Sequence, residues 1–343
     1  MAQVFNLQPQ TVCRNCVLPS TMPSARIDDS GLCAYCREFK GKAEIDERRR
    51  AYKSRFDALL GECRNRSDSS YDVLVAYSGG KDSTFTLDLL KNDYGLRVLA
   101  LTFDHGFISP YAMENIRRVV ETLGVDHINF KPDFQLMTGV FRLSLEDEFH
   151  PPKALERASS ICNSCMGLVK FVTLRIAVEG EIPFIAYGWS PGQAPLQSAI
   201  LKNHASFLRK AQDLFLLPLE RGLGHRVRAY FLEDRHLRTK VMPYNVNPLA
   251  FLRYREEEIY GRIRELGWLP PQDTDPNSTN CLLNSFANQA HVNRHGYHPY
   301  AMELAELVRE GVLPRDEAMR RLNQEPNEEV VALVAERLHI DKS

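Results

Sequence analysis

Six of the eight cysteines fall in three Cys-x-x-Cys pairs, Cys13/Cys16, Cys33/Cys36 and Cys162/Cys165, while Cys63 and Cys281 stand alone. The chain opens MAQVFNLQPQTVCRNC, without the basic-then-apolar pattern of a secretion signal. In that setting paired cysteines point to metal or redox chemistry before disulfides. Sixteen residues separate Cys16 from Cys33. Each knuckle turns two thiolates toward one ion, and two knuckles on a short ribbon complete a tetrahedral shell. Cys13, Cys16, Cys33 and Cys36 are therefore read as a structural Zn2+ ribbon. Zinc binding on the order of 10 kcal/mol would fold a segment that has no core of its own.

The second chemical signal is Ser78-Gly79-Gly80-Lys81-Asp82-Ser83, directly after the apolar run YDVLVAYS and before a helical stretch. Two glycines let successive backbone amides aim inward, and the following helix adds the positive end of its dipole, which together make an anion cradle. Ser78 and Ser83 add hydroxyls and Lys81 a point charge suited to a polyphosphate. The spacing is not the GxxxxGK[ST] of a Walker loop, so γ-phosphate transfer is not what it suggests.

Apolar runs 71–78, 96–104, 125–132 and 182–188 read as strands, and 78–94, 109–124 and 171–180 as the helices between them. Such alternation predicts an α/β fold with a doubly wound parallel sheet covered on both faces. Before it, IDERRRAYKSRFDALL (45–60) reads as a charged helix with Tyr52, Phe56, Leu59 and Leu60 on one face, and 62–70 as a polar linker. Past residue 245 the strands stop, and 255–268, 298–311, 315–324 and 327–340 read as helices. The expected parts are a zinc ribbon (1–43), a helix and linker (44–70), a nucleotide domain (71–245) and a helical C-terminal region (246–343).

Composition sets the limits. The 343 residues are 44% hydrophobic and 25% charged, which is globular rather than disordered, and no apolar run approaches the ~18 residues of a membrane span. A cytoplasmic protein with no membrane partner is expected. Lys plus Arg number 43 against 44 Asp plus Glu, a net charge of −1. Proteins that grip many phosphates usually carry a basic excess, so the balance tilts toward a small-molecule acceptor.

SGGKDS resembles the signature of the PP-loop ATP pyrophosphatases, a superfamily of thiolation enzymes, asparagine and GMP synthetase domains and sugar amidotransferases. The likeness spans roughly 70–245 and continues through TFDHGF (102–107), ENIRRVV (114–120) and YGWSPGQ (187–193). It implies a HUP-type, Rossmann-like sheet that cleaves ATP between the α- and β-phosphates with Mg2+. An oxygen of the substrate is adenylated, pyrophosphate leaves, and nitrogen or sulfur displaces AMP. Ser78, Gly79, Gly80, Lys81, Asp82 and Ser83 carry over as the pyrophosphate cradle, with Asp82 a magnesium contact. Asp104, at the end of the second strand, is placed near adenosine or magnesium, with a turn-capping role as the competing reading. His105 stands where the resembling enzymes commonly have Asn. Gly188 and Gln193 are candidates to close over the nucleotide.

Cys162, Cys165 and the distant Cys281 resemble the three thiolates of the iron–sulfur-dependent tRNA thiolases, which hold a [4Fe-4S] cluster with one open iron. Two other readings of Cys162 and Cys165 stay open: a metal-free persulfide and disulfide pair, and buried inert thiols. The resemblance gives Lys81, Asp82, Cys162 and Cys165 as catalytic residues of an ATP-dependent sulfurtransferase that takes sulfur from a donor. The acceptor could be a nucleobase or nucleoside, tRNA included, or another small molecule, and the resembling enzymes are commonly homodimers. The ribbon is also similar to the opening of N-acetyl sugar amidotransferases, which would instead need ammonia from a partner glutaminase. A ribbon that serves only as an interaction module leaves SGGKDS unexplained.

Several residues are weighed and set aside. Arg48 to Arg50, and Arg209 with Lys210, read as solvated helix faces before phosphate contacts. His291, His295 and His298 fit no clean ligand spacing, and Cys63 is incidental.

Overall fold

In the computed structural model, which describes residues 11–64, 69–146, 150–239 and 242–340, short apolar runs become strands between longer helices. The strands are β1 (Val73–Ala76), β2 (Val98–Phe103), β3 (Asp126–Phe130), β4 (Phe184–Tyr187), β5 (Ile200–Lys202) and β6 (Tyr244–Val246). They form one sheet in the order β3-β2-β1-β4-β6-β5, parallel except for β5, which runs antiparallel to β6. This is the expected doubly wound α/β arrangement. Chain order reverses around β1, which has β2 on one side and β4 on the other. Such a reversal opens a crevice at the carboxyl ends of the strands, where ligands bind.

Both faces of the central strands are apolar because both are covered. Val73, Val75, Ala100, Phe184 and Ala186 point into one core, and Leu74, Leu99, Leu101, Ile185 and Tyr187 into the other. Helices α1 (Ala34–Arg37) and α2 (Lys42–Arg64) precede the sheet, and α3 (Lys81–Asp88) leaves the end of β1. Between β2 and β6 lie α4 (Pro110–Leu123), α5 (Phe134–Glu146), α6 (Pro152–Leu155), α7 (Ser160–Glu179), α8 (Ala205–Leu223) and α9 (Asp234–Leu237). The sheet is followed by α10 (Glu256–Glu265), α11 (Leu283–His295), α12 (Ala301–Arg309), α13 (Arg315–Leu322) and α14 (Glu328–Arg337). Local chemistry sets the ends of α4: Ser109 caps it by accepting from the Tyr111 and Ala112 amides, Pro110 opens it, and Gly124 closes it at φ 57°.

Three differences from the expected elements matter for the site. Helix α7 runs unbroken from Ser160 to Glu179, so the helix expected to start at Cys162–Cys165 and the one expected over 171–180 are a single element, with the Ser159 hydroxyl accepting from the Cys162 amide. By length and composition α7 is also apolar enough to cross a membrane, contrary to the expectation that no run approaches that length. It packs in the core against β1, β4 and α5. The strands β5 and β6 and the helices α5 and α11 are additions to the expected set. The linker expected over 62–70 lies partly outside the described residues.

Candidate active site and metal centres

The SGGKDS loop sits at the carboxyl end of β1. Gly79 has φ +75°, and a Cβ there would lie 2.6 Å from Ile116 Cγ1 and 2.7 Å from the Ala112 carbonyl oxygen, so only glycine fits. The buried Trp268 indole donates to the Gly79 carbonyl at 2.9 Å, fixing the loop from the C-terminal region. The Ser78 and Ser83 hydroxyls lie 3.0 Å apart, and Ser83 donates to the Gly80 carbonyl at 3.1 Å. Gly188, just past β4, packs on the same turn: a Cβ there would stand 2.5 Å from Ser83 Cα. Gly188 therefore serves by permitting close approach of two backbones.

Lys81 is buried and held from three sides. Its Nζ donates to the Tyr254 hydroxyl at 2.6 Å and to Glu256 Oε1 at 3.0 Å, and lies 3.0 Å from Asp82 Oδ1. Tyr254 in turn donates to Asp82 at 2.9 Å. Burial opposes the ammonium charge, but Asp82, Tyr254 and Glu256 keep the Lys81 pKa well above the ordinary lysine value. Burial likewise raises Glu256, and hydrogen bonds from Arg321 with the charge of Lys81 overcome it to bring Glu256 to about 2. These groups line a cavity of about 250 Å³ together with Glu303 and Arg321. Burial pushes Glu303 up to about 7, against a hydrogen bond donated by the Ser190 hydroxyl. Cations for phosphate and carboxylates for a divalent ion thus face one space, which suits a magnesium-bound polyphosphate.

Cys281 reaches the edge of this site on a short extended segment. The Lys81 amide donates to Thr279 Oγ1 at 2.8 Å, the Ser109 amide to the Asn280 carbonyl at 2.9 Å, and the Leu282 amide to the Phe107 carbonyl at 2.9 Å. Cys281 itself bridges to Ile108. From there the chain enters α11, whose Asn284 reaches Cys162 on α7. Burial raises all three: Cys162 above its usual range, Cys165 well above it, and Cys281 to about 12. Among the described residues, the three sulfurs are not a group that gathers within 4.8 Å. All three pack against the core on the Leu74/Ile185 face. Asn284 Nδ2 stands 3.7 Å from Cys162 Sγ, and His105 Nε2 stands 3.8 Å from Cys281 Sγ.

The ribbon cysteines do gather within 4.8 Å of one another. Cys13 and Cys36 sulfurs lie 3.7 Å apart, and Cys16 and Cys33 sulfurs 3.6 Å apart. A tetrahedron with Zn–S of about 2.3 Å has edges of about 3.8 Å, so the four positions fit zinc. The Arg309 guanidinium lies 3.6 Å from Cys16 Sγ, where it offsets thiolate charge. Arg315 donates to the Cys16 and Cys13 carbonyls at 3.0 and 3.2 Å, which docks the ribbon on α12 and α13.

Other candidates have local partners. Asp104 accepts from the Gly106 amide at 3.0 Å and pairs with Lys131 at 3.2 Å, as a turn cap does. Gln193 accepts from the Ser190 amide at 3.2 Å, holding the loop after β4. Arg49 pairs with Glu310 at 2.5 Å and Arg209 with Asp234 at 2.8 Å. Cys63 packs against the core. His291 is buried against His295 and Tyr297, its ring nitrogens without a hydrogen-bond partner among the described residues, and burial brings it to about 3. Sequence reasoning missed Tyr254, Glu256, Thr279, Glu303 and Arg321. The signals open to it were the Tyr-Arg-Glu step before a helix and the polar residues beside Cys281.

No family model matches the chain. The chain is 24% identical over 259 residues to the uncharacterised protein MJ1599 of Methanocaldococcus jannaschii, covering 76% of this chain and 75% of that one. Among solved structures it is similar to the U34-tRNA thiolase NcsA of Methanococcus maripaludis with its [4Fe-4S] cluster, at 19% identity and TM-score 0.36, over 97% of this chain and 99% of that one. It is also similar to the NH3-dependent NAD synthetase of Campylobacter jejuni, at 14% identity and TM-score 0.35, over 87% and 94%. The NMN synthetase of Francisella tularensis is similar at 12% identity and TM-score 0.34, over 89% and 99%. Likenesses at these TM-scores do not establish an activity, and the functional reading rests on the residues of this chain.

Proposed function

We propose that this chain is an ATP- and Mg2+-dependent PP-loop enzyme that adenylates an oxo group of its acceptor and replaces the oxygen by sulfur. The observation that carries the reading is the segment Thr279–Leu282. It contacts the phosphate loop through Thr279 and, two residues later, sets Cys281 on the core that Cys162 and Cys165 also pack against, with Asn284 reaching Cys162 Sγ at 3.7 Å. Phosphate chemistry and soft-ligand chemistry are thereby joined across one short stretch of chain.

In this reading the loop amides, the Ser78 and Ser83 hydroxyls and Lys81 hold the β- and γ-phosphates. Asp82 and Glu256 face the same cavity and supply carboxylate oxygens for Mg2+. The acceptor oxygen attacks the α-phosphorus, the bond to the bridging oxygen breaks, and pyrophosphate leaves with that electron pair. Lys81 neutralises the charge that develops there. Sulfide then adds to the activated carbon, and the carbon–oxygen bond breaks to release AMP.

Three thiolates are the protein ligands that leave one iron of a [4Fe-4S] cluster open, and its positive irons would hold as thiolates groups that burial otherwise keeps protonated. Cys162, Cys165 and Cys281 would therefore hold a [4Fe-4S] cluster, which supplies an iron without a protein ligand as the docking point for sulfide. Cys13, Cys16, Cys33 and Cys36 would hold zinc with a structural role. The near-neutral charge favours a small-molecule, nucleobase or nucleoside acceptor over tRNA. The second reading is ammonia-dependent amidotransfer, favoured by the resemblance of the ribbon to sugar amidotransferases.

The test is iron, acid-labile sulfide and zinc analysis on anaerobically purified protein, wild type against Cys162→Ala. Iron and sulfide should disappear in the variant while zinc stays. Zinc alone in both proteins would overturn sulfur transfer and leave amidotransfer as the reading to pursue.

A further inference from the structure

His105 is a buried histidine at the carboxyl end of β2 that the proposed reaction does not use. Its ring lies between Phe107, with centroids 6.4 Å apart at 23°, and Phe141, 6.2 Å away at 82°, so it has little room to turn. The Phe107 amide donates to Nδ1 at 3.2 Å. Nδ1 is therefore the acceptor nitrogen, and a neutral ring must carry its proton on Nε2. Nε2 stands 3.8 Å from the sulfur of Cys281.

We infer that His105 is a positioning residue for the proposed iron–sulfur site, donating a fixed Nε2–H···S hydrogen bond to the Cys281 thiolate. The inference rests on the assignment of a cluster to Cys162, Cys165 and Cys281. Cys281 is the ligand that needs such help. Cys162 and Cys165 share one helical turn, whereas Cys281 arrives from a segment 116 residues further along the chain. A donor locked by the backbone of residue 107 orients the sulfur, and it withdraws charge from the thiolate without adding a formal charge. Hydrogen bonds to ligating sulfurs stabilise the reduced, more negative state of a cluster and raise its potential. The Asn284 amide contacts Cys162 Sγ but also donates to Tyr300 at 3.2 Å, and among the described residues Cys165 has no such donor. Cys162 also takes a hydrogen bond from Ser159 and Cys281 from the Leu283 and Asn284 backbone amides, so the three ligands are unequal and His105 is the side-chain donor that reaches Cys281.

The test is an EPR-monitored redox titration of the anaerobically reconstituted full chain, with iron content measured alongside, for wild type, His105→Phe and His105→Gln. His105→Phe should retain iron and show a reduction potential shifted to more negative values. His105→Gln keeps an N–H donor and should move the potential back toward wild type. An unchanged potential in His105→Phe with iron retained overturns the inference and leaves the cluster assignment standing. Loss of iron in His105→Phe with retention and a near-wild-type potential in His105→Gln supports it, and loss of iron in both overturns it. Absence of iron from wild type overturns the cluster assignment itself.

Discussion

Lys81 shows why the motif was readable and its setting was not. SGGKDS is contiguous, and its residue types suffice to name an anion cradle. The groups that hold the Lys81 ammonium, Tyr254 and Glu256, come from more than 170 residues further along, where no local pattern marks them. Because Lys81 pairs with two half-buried carboxylates, of which Glu256 keeps Arg321, Lys81→Met should abolish pyrophosphate release and also destabilise the fold by about 1–3 kcal/mol, the cost of leaving a partly buried polar group unpaired. Adding Glu256→Gln should recover part of that stability in denaturant melts while activity stays absent. Full stability in the single variant would mean that the triad contributes little to folding. Glu303 gives a prediction in pH. Its carboxyl is raised to about 7 from an ordinary 4.5, so the folded state favours the protonated form. The stabilisation is fully present below about 4.5 and is lost as pH rises through about 7. Thermal melts of Glu303→Gln should therefore show a stability difference from wild type that shifts in favour of the variant between those values. A pH-independent difference would place Glu303 in ordinary solvent.

At the scale of elements, the strands and helices that carry the loop were visible because their apolar residues follow the sheet and helix periods. Helix α11 was hidden because it buries Asn284, Ser285, Asn288 and His291, polar residues that erase the hydrophobic pattern. The start of α7 at Cys162–Cys165 was legible, but its continuity with 171–180 was not, because the helix is apolar on several sides rather than striped. Strands β5 and β6 are three residues each, too short for alternation to register. The junction of β4 with α3 is the element contact on which the proposed nucleotide site depends. Gly188→Ala places a methyl group against the Ser83 backbone at 2.5 Å, and backbone cannot swing aside as a side chain would. The expected result is destabilisation of about 1–3 kcal/mol. An increase in the KM for ATP of roughly 10²-fold should accompany it, as the loop moves by a fraction of an ångström to an ångström. An unchanged KM would show that the approach of β4 to the loop does not set nucleotide binding.

Across the whole molecule, the sheet separates the two cysteine sites. The ribbon belongs to the core on the Val73/Val75 face, with Cys13, Cys16 and Cys33 buried beside Met302, Ala305 and Ala318. Cys162, Cys165 and Cys281 pack on the core of the opposite face, with Leu74, Leu101 and Ile185. The sequence could name three pairs of thiols but not this partition, because which face a distant segment reaches depends on how the helices beyond β6 return over the sheet. The partition makes the two sites separable. Cys36→Ser should lower zinc while leaving iron unchanged, and Cys281→Ala should do the reverse, both read by metal analysis on the same preparations. Loss of zinc removes the bonds that join the two knuckles, so amide exchange should rise across residues 11–37 even though Val17, Leu18 and Met22 pack in the core and Arg309 and Arg315 contact the ribbon. Strands β1 and β2, sealed between the two cores, should keep their protection. If iron falls in Cys36→Ser, the ribbon must contribute to the second site and the division of ligands between the two faces is wrong. If exchange rises in β1 as well, the ribbon is part of the cooperative unit that holds the phosphate loop, and zinc would govern nucleotide binding through the core they share.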